Sequence, residues 1–475
     1  LELIHLQMLG LLAILLLARP LQAQEMTLVD DGQALANIIV APNASAQLGE
    51  AANELRTHLG KITGVSFAVE SVDNAAPSNR SEIVLGARAA MNRCRLDIRK
   101  EALGDQGYII RTLGNHLVIA GETDLGTLYG VYGFLEDHLG VRWFTPDVTK
   151  IPRQLTLAIG RLNERFAPAF ESRMLLWANS RRSIPWSSRM KVNCFIHSYG
   201  IHIREFVAAP ILKGLYHFTG GHVHTISDLL PINKYFDEHP EYFSEIDGIR
   251  LKNQTQPCLT NPEVARIITK NAMRQAAIAS QRSHGIISIT QNDWANPCRC
   301  SNCIAAYKKK GLDQTYVEFV NEIAKRVEKE YPGVLVETLA YSWTRKPPKG
   351  FQLNSNMLIR YAAISQCRRH GYDCEHSGSE HAKEWLKKWI AASPRVWVWY
   401  YSGGQSLVPW TNLKSFAADF RHFAEVGAKG VFLEGTSRHY ALDFGELKAY
   451  LLAKLSWNPH LDDQAIIREY IDYCY

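Results

Sequence analysis

The chain has 475 residues, with 53 Lys+Arg against 47 Asp+Glu for a formal net charge of +6, and is 46% hydrophobic and 21% charged. That is ordinary globular composition and excludes a disordered or fibrous chain. Length alone suggests two or three domains, or a small domain beside a barrel of about 250 residues. The longest basic run is Lys308–Lys310, so the clustered Lys/Arg footprint of a nucleic-acid binder is missing and no DNA or RNA partner is expected. Eleven Trp and twenty Tyr are the one compositional hint, since proteins that handle sugars use such rings as platforms, although large barrels also bury them.

In chain order, Met8–Ala18 reads MLGLLAILLLA and is followed by RPLQAQ, in which Leu21 and Ala23 suit the cleavage positions of a secretory signal peptide over residues 1–23. The run is shorter than the roughly 20 residues that span a bilayer, and no later charge-free stretch approaches that length, so no membrane span is expected. An exported protein, periplasmic or extracellular, follows. The start at Leu1 without a basic leader leaves Met8 open as the first residue, and no Cys follows the apolar run, against a lipid anchor. At the other end IIREYIDYCY stops inside a helical pattern, which leaves room for a further C-terminal portion.

Residues 24–152 alternate short strands (NIIVAP, FAVE, EIVLG, GYIIRT, HLVIAG, VRWFTP) with two helices, QLGEAANELRTHLGKITG and TLYGVYGFLEDHLG. This predicts a small α+β domain with a mostly antiparallel sheet. Gly60, Gly64 and Gly140 stand where helices should stop. Pro146, Pro152 and Pro168 mark the boundary.

From about residue 165 to 475 the pattern becomes strand, loop and long helix, repeated. Strands are predicted at ESRMLLW, VNCFIHS, QPCLTN, GIISITQND, VLVETLAYSW, NMLIRYAA, RVWVWYY and GVFLEGTS. Helices between them include NPEVARIITKNAMRQAAIAS, QTYVEFVNEIAKRVEKEY, SEHAKEWLKKWIAAS, NLKSFAADFRHFAEVG and FGELKAYLLAKLSW. No Gly-x-Gly-x-x-Gly or Walker loop follows any strand. The fold class is therefore α/β, a (β/α)8 TIM-type barrel preceded by a small α+β domain.

Chemistry then belongs at the C-terminal ends of the barrel strands. The fourth ends in Gln291, Asn292, Asp293 and Trp294; the fifth runs from Glu337 to Tyr341; the seventh ends in Trp399, Tyr400 and Tyr401; the eighth ends in Glu434. The first contributes Arg173 and Trp177, the second His197, and the following loop His222 and His224; Arg360 lies on the sixth. Glycosidic cleavage needs an acid beside the leaving oxygen and a second group that stabilises or captures the oxocarbenium-like centre, and this rim offers both. Asp293, Asn292 and Glu434 are the catalytic candidates; Arg173, Trp177, His197, His222, His224, Trp294, Glu337, Tyr341, Arg360, Tyr400 and Tyr401 would bind a hydroxyl-rich ligand. Each also has a structural alternative. Asp293 would cap the following loop, Glu434 would pair with Arg438, and Glu337 would form an ion pair inside the barrel. His222 and His224 alternate, as do Tyr400 and Tyr401, so one of each pair need face the substrate.

Nine cysteines are present, with Cys298, Cys300 and Cys303 close after Asp293 and Cys367 and Cys374 after strand six. In an exported protein, disulfides pinning these loops are the default. Cys298, Cys300, Cys303 and Cys374 would equally suit a structural zinc, and free thiols remain the third alternative. No other cofactor is expected, and no papain-like or caspase-like Cys/His motif is present.

The runs HPEYFSE, QPCLTNPEV, ISITQNDWANPCRCSNC, FVNEIAKRVEKEYP and TLAYSWTRKPPK, within Arg173 to Trp457, resemble domain of unknown function 4838, a family that includes the family 163 endo-β-N-acetylglucosaminidases. AANELRTHLGKITG and GTLYGVYGFLEDHLGVRWFTP resemble the accessory domain before the barrel of family 20 hexosaminidases and α-glucuronidases. The resemblance implies a glycoside hydrolase acting on glycans or glycoproteins. In substrate-assisted hexosaminidases, a polar residue ending strand four orients the acetamido group while its neighbour protonates the leaving oxygen. The matching pair is Asn292 and Asp293, and the departure is Asp where such pairs usually carry Glu. A retaining, substrate-assisted β-N-acetylglucosaminidase-type enzyme is the leading expectation. An α-glucuronidase or sialidase, with Asp293 and Glu434 as separated acid and base and Arg173 or Arg360 gripping a carboxylate, is the second. A catalytically silent carbohydrate-binding barrel is the third.

Overall fold

The structure is a computed structural model that describes residues 25–72, 80–195, 214–367, 369–372, 374, 381–403, 410, 412–436 and 442–475. The segment expected to be a signal peptide and His197 lie outside the described residues. The chain divides into two compact units, one running to Arg142 and taking in Lys150–Ala167, the other made of Trp143–Thr149 and Pro168–Tyr475.

In the first unit the strands are β1 (Met26–Asp30), β2 (Gln33–Ala34), β3 (Ala36–Val40), β4 (Val69–Ser71), β5 (Ser81–Leu85), β6 (Tyr108–Leu113), β7 (His116–Ala120), β8 (Leu157–Ile159) and β9 (Asn163–Phe166). A six-stranded sheet has the order β9-β6-β7-β5-β3-β4. Its β4, β3, β5 and β7 are parallel, whereas β7, β6 and β9 are antiparallel. This corrects the mostly antiparallel expectation. Helix α1 (Ala46–Thr63) carries the chain from β3 to β4, and a crossover of that kind imposes parallel pairing. Ser45 Oγ caps α1 by accepting from Leu48 N at 3.1 Å, and Gly64 ends it at φ 79°, while Gly60 lies inside the helix rather than at its end. Helix α2 (Ala87–Cys94) follows β5, and α3 (Asp124–Gly133) follows β7.

The second unit is a closed parallel barrel of eight strands: β10 (Ser172–Leu176), β11 (Cys194–Phe195), β12 (Tyr216–Thr219), β13 (His284–Ser288), β14 (Leu335–Ala340), β15 (Met357–Ala362), β16 (Val396–Tyr401) and β17 (Gly430–Glu434). Pairing of β10 with β17 closes it, with Ser172 opposite Gly430 and Leu176 opposite Glu434. The longer helices of the unit are α4 (Pro262–Ala279), α5 (Ser301–Lys310), α6 (Leu312–Glu330), α7 (Ala382–Ala392), α8 (Phe416–Glu425), α9 (Gly445–Trp457) and α10 (Asp463–Cys474). The third strand differs from expectation. It is β12, whereas the QPCLTN segment is a loop whose Asn261 caps α4, its Oδ1 accepting from Glu263 N at 2.9 Å with Pro262 in the first turn. A cap followed by proline starts a helix and ends strand pairing.

Side-chain alternation fills the barrel interior with Met174, Tyr216, Phe218, Ile286, Leu335, Leu339, Leu358, Trp397, Trp399 and Phe432. Each of these large apolar side chains contributes about 1.5–3 kcal/mol on burial. The large residues pack around one buried polar set, Ser288, Glu337 and Arg360, while Asp293 and Glu434 stand at the C-terminal rim. Trp143 and Phe144, expected in a strand of the first domain, group with the barrel unit instead. Trp186 Nε1 donates to Trp143 O at 3.0 Å, and Phe144 packs on Tyr450, Tyr470 and Tyr473.

Candidate active site

The loop leaving β13 is fastened from both sides. Gln291 Nε2 donates to Tyr341 O at 2.9 Å and Thr344 Oγ1 at 2.7 Å, tying the loop to the end of β14. On the other side Gln256 Nε2 donates to Asn292 O at 2.7 Å and Trp294 O at 2.6 Å, while Asn292 Nδ2 donates to Thr255 O at 2.9 Å. Between these anchors Asp293 projects an exposed carboxylate. Tyr341 Oη donates to its Oδ1 at 3.0 Å, and His224 Nε2 stands 3.8 Å from the same oxygen. His224 is held at φ 54°, a backbone state uncommon for a non-glycine residue, with Nδ1 2.8 Å from Gln291 O. A carbonyl only accepts, so Nδ1 carries the hydrogen and Nε2 is left to face Asp293.

Glu434 closes the rim from β17. Its Oε2 accepts from Trp399 Nε1 at 2.8 Å, and Tyr401, opposite it in register, stacks on Trp399 with ring centroids 5.9 Å apart. Burial, the bond to Asp293, and the charges of Asp293 and Glu434 together push the Tyr341 phenol up to about 12. One hydroxyl therefore senses both carboxylates and remains a donor at neutral pH. Trp294 is 47% exposed beside Asp293, and its carbonyl also accepts from Trp343 Nε1 at 3.3 Å. A cavity of about 440 Å³ opens alongside, lined among others by His224, Thr255, Gln256, Asn292, Asp293 and Trp294.

Several residues expected at the rim lie elsewhere. Arg173 is fully buried, its Nε donating to Lys191 O at 2.9 Å and its Nη1 to Phe170 O at 2.6 Å, with its guanidinium over Trp457 of α9. It is the second residue of β10, near the strand start, so it reaches no ligand at the rim. Tyr400 points outward, its hydroxyl donating to Asp419 of α8 at 2.5 Å. Glu337 and Arg360 are fully buried inside the barrel, where Arg360 Nε donates to Glu337 Oε1 at 3.0 Å and Ser288 Oγ donates to Glu337 Oε2 at 2.5 Å. The Arg360 guanidinium lies over Trp399, and its Nη2 donates to the carbonyl of His222. His222 itself is buried, and burial with the nearby Arg360 and His224 charges depresses its imidazole well below the usual range. Trp177 is buried, Nε1 donating to Ser402 Oγ at 3.3 Å, against Gly403 and Gly435, where a Cβ would run into the indole.

The cysteine expectation also changes. Cys374 groups with Cys367 and His370, and the fourth member beside Cys298, Cys300 and Cys303 is Cys258. Cys258, Thr255 and Gln256 were hidden because their segment reads as a strand by composition. Trp343 gave no signal beyond its being aromatic.

Fold and rim together define a (β/α)8-barrel protein with a small mixed-sheet domain before it. The chain belongs to the family described as Domain of unknown function (DUF4838), whose model matches residues 143–475 and so begins at Trp143, where the barrel unit takes up the chain. The model described as Glycosyl hydrolase family 67 N-terminus matches residues 20–134. No curated protein matches the chain. Among solved structures, the GH115 4-O-methyl-α-glucuronidase BtGH115A is similar at TM-score 0.59 and 14% identity, over 94% of this chain and 60% of that one. This chain thus spans under two thirds of that enzyme's length. The Flavobacterium johnsoniae chitobiase FjGH20 is similar at 0.56 and 14%, over 95% of this chain and 71% of that one. A Streptomyces plicatus N-acetyl-β-hexosaminidase is similar at 0.52 and 13%, over 95% and 94% respectively. At these identities the likeness is one of fold.

Proposed function

We propose that this protein is a glycoside hydrolase acting on glycans, of the retaining, substrate-assisted β-N-acetylglucosaminidase type. The observation that carries the reading is the exposed Asp293 carboxylate beyond the fourth barrel strand, bonded by Tyr341 and flanked by His224, facing open space at the C-terminal rim. That position suits a general acid. Asn292 lines the same cavity, and its Oδ1 is a buried acceptor with no partner among the described residues, which in this reading pairs with an acetamido N–H once the side chain turns toward the cavity. Tyr401 and Trp294 furnish aromatic faces for a pyranose ring, and Glu434 is a second carboxylate on the rim.

The acidic-sugar reading has BtGH115A behind it, a glucuronidase by its printed description. The two arginines assigned to grip a carboxylate weigh against it, because Arg173 lies near the strand start and Arg360 is committed to Glu337 inside the barrel. The test is mass-spectrometric screening of the purified protein against N-glycoproteins, mucin glycans, chitooligosaccharides and glucuronoxylan. Release of a fragment with a reducing-end N-acetylglucosamine, at retained anomeric configuration by NMR, supports the proposal. Release of a uronic acid replaces it with the acidic-sugar reading, and glycan binding without any product points to a silent binding barrel.

A further inference from the structure

Cys258, Cys298, Cys300 and Cys303 are buried together beside the loop that carries Asp293. Their sulfurs all lie within 4.8 Å of one another, and Cys258 Sγ is 3.7 Å from both Cys300 Sγ and Cys303 Sγ. A tetrahedral ion with metal–sulfur bonds of about 2.3 Å sets its four sulfurs about 3.8 Å apart. The four thiols thus surround a common centre at the spacing such an ion requires.

The surroundings suit sulfur that carries negative charge. The backbone N–H of Glu245 points at Cys298 Sγ at 3.4 Å, and Arg250 Nη1 lies 3.6 Å from the same atom. Thr260 Oγ1 is 3.2 Å from Cys303 Sγ. Cys300 is the N-cap of α5 and Cys303 lies in its first turn, where the helix dipole favours an anion. Four thiolates around a divalent ion leave a net charge of −2, which these donors offset. An all-sulfur set excludes calcium and magnesium and favours zinc among the ions that accept a tetrahedral site. With four protein ligands no position remains for substrate, so the role is structural.

We propose that Cys258, Cys298, Cys300 and Cys303 bind one Zn²⁺ as a closed tetrathiolate site that clips the Asp293 loop in place. Cys258 lies two residues after Gln256, the side chain that bonds the carbonyls of Asn292 and Trp294. Cys298 lies five residues after Asp293. The ion therefore joins the two segments whose mutual hydrogen bonds hold that loop, and it does so whatever the substrate proves to be.

The test is metal analysis of the unaltered chain, produced with zinc sulfate in the medium and purified without chelator. The expected result is about one zinc per chain by plasma mass spectrometry and native mass spectrometry. A mercurial thiol reagent should release it while exposing four protected thiols to alkylation, and a non-reducing digest should show no disulfide among the four cysteines. Cys258→Ser and Cys303→Ser should each lower the zinc content from about one to near zero, while Cys94→Ser, in the first unit, keeps it. Because the first two variants can fail to fold, the measurements on the unaltered chain decide. Absence of zinc, a disulfide joining any two of the four, or iron in its place would overturn the proposal.

Discussion

Tyr341 Oη donates to Asp293 Oδ1 across 3.0 Å, linking the loop after β13 to the end of its neighbour β14. The bond aims an otherwise exposed carboxylate into the rim. Since the Tyr341 phenol is pushed up to about 12, the donor persists across the neutral range.

If Asp293 is the general acid, Asp293→Asn lowers kcat by about 10²- to 10⁴-fold with little change in KM. Tyr341→Phe costs less, because the carboxyl stays in place and loses only the hydroxyl that aims it into the rim. Steady-state kinetics on the released-fragment substrate checks both. Unchanged turnover in Asp293→Asn would remove that residue from the acid role.

Arg360→Met is expected to destabilise the fold by about 3–5 kcal/mol, because it strands the fully buried Glu337 carboxylate. Burial already pushes the Glu337 pKa upward, with Arg360 and Ser288 opposing it. Glu337→Gln should also be destabilising in urea denaturation, because it strands the fully buried Arg360 guanidinium, which cannot shed its proton. Equal and negligible losses would show that the pair is not dry.

Stability should fall as pH drops below about 6.5, in part through His222. Its folded-state pKa is depressed by burial, by Arg360 and by His224. The unfolded chain takes up a proton there that the folded chain does not. The contribution is therefore present above the unfolded pKa and is lost on acidification toward the folded one. His222→Phe, placed between Phe218 and Phe432, should flatten the dependence of Tm on pH over this range. An unchanged slope would exclude His222 as a source.

Adjacent Tyr400 and Tyr401 should separate cleanly. Tyr400→Phe removes the buried bond to Asp419 and costs about 1–3 kcal/mol of stability without changing the kinetics of the folded enzyme. Tyr401→Ala removes a rim face stacked on Trp399 and weakens glycan binding by about 0.5–1.5 kcal/mol. Thermal melts and binding isotherms read the two effects independently, and the reverse pattern would reassign which face lines the site.

Strand-helix alternation made the barrel legible because each strand and helix writes its period locally, and the long helices α4, α6, α8 and α9 fall where their apolar spacing predicts. Local patterning failed at β12, whose alternating Tyr216–Thr219 run is only four residues long, and at the QPCLTN loop, where Asn261 serves as a cap and Cys258 joins a cysteine cluster. It also left pairing direction in the first unit open, since a run of short strands does not say which are joined by a crossover.

The sequence by itself determined the barrel class and the position of Asp293 beyond the fourth strand, both properties of order and period along the chain. Only the tertiary structure decided that Arg360 and Glu337 neutralise each other inside the barrel, that Arg173 lies near the start of its strand, and that Cys258 joins the three later cysteines in place of Cys374. The reason is physical. A charged side chain on a strand reads the same whether it meets solvent or a partner on the next strand. Partners 23 or 40 positions apart are brought together by barrel closure and loop path, which no local pattern encodes.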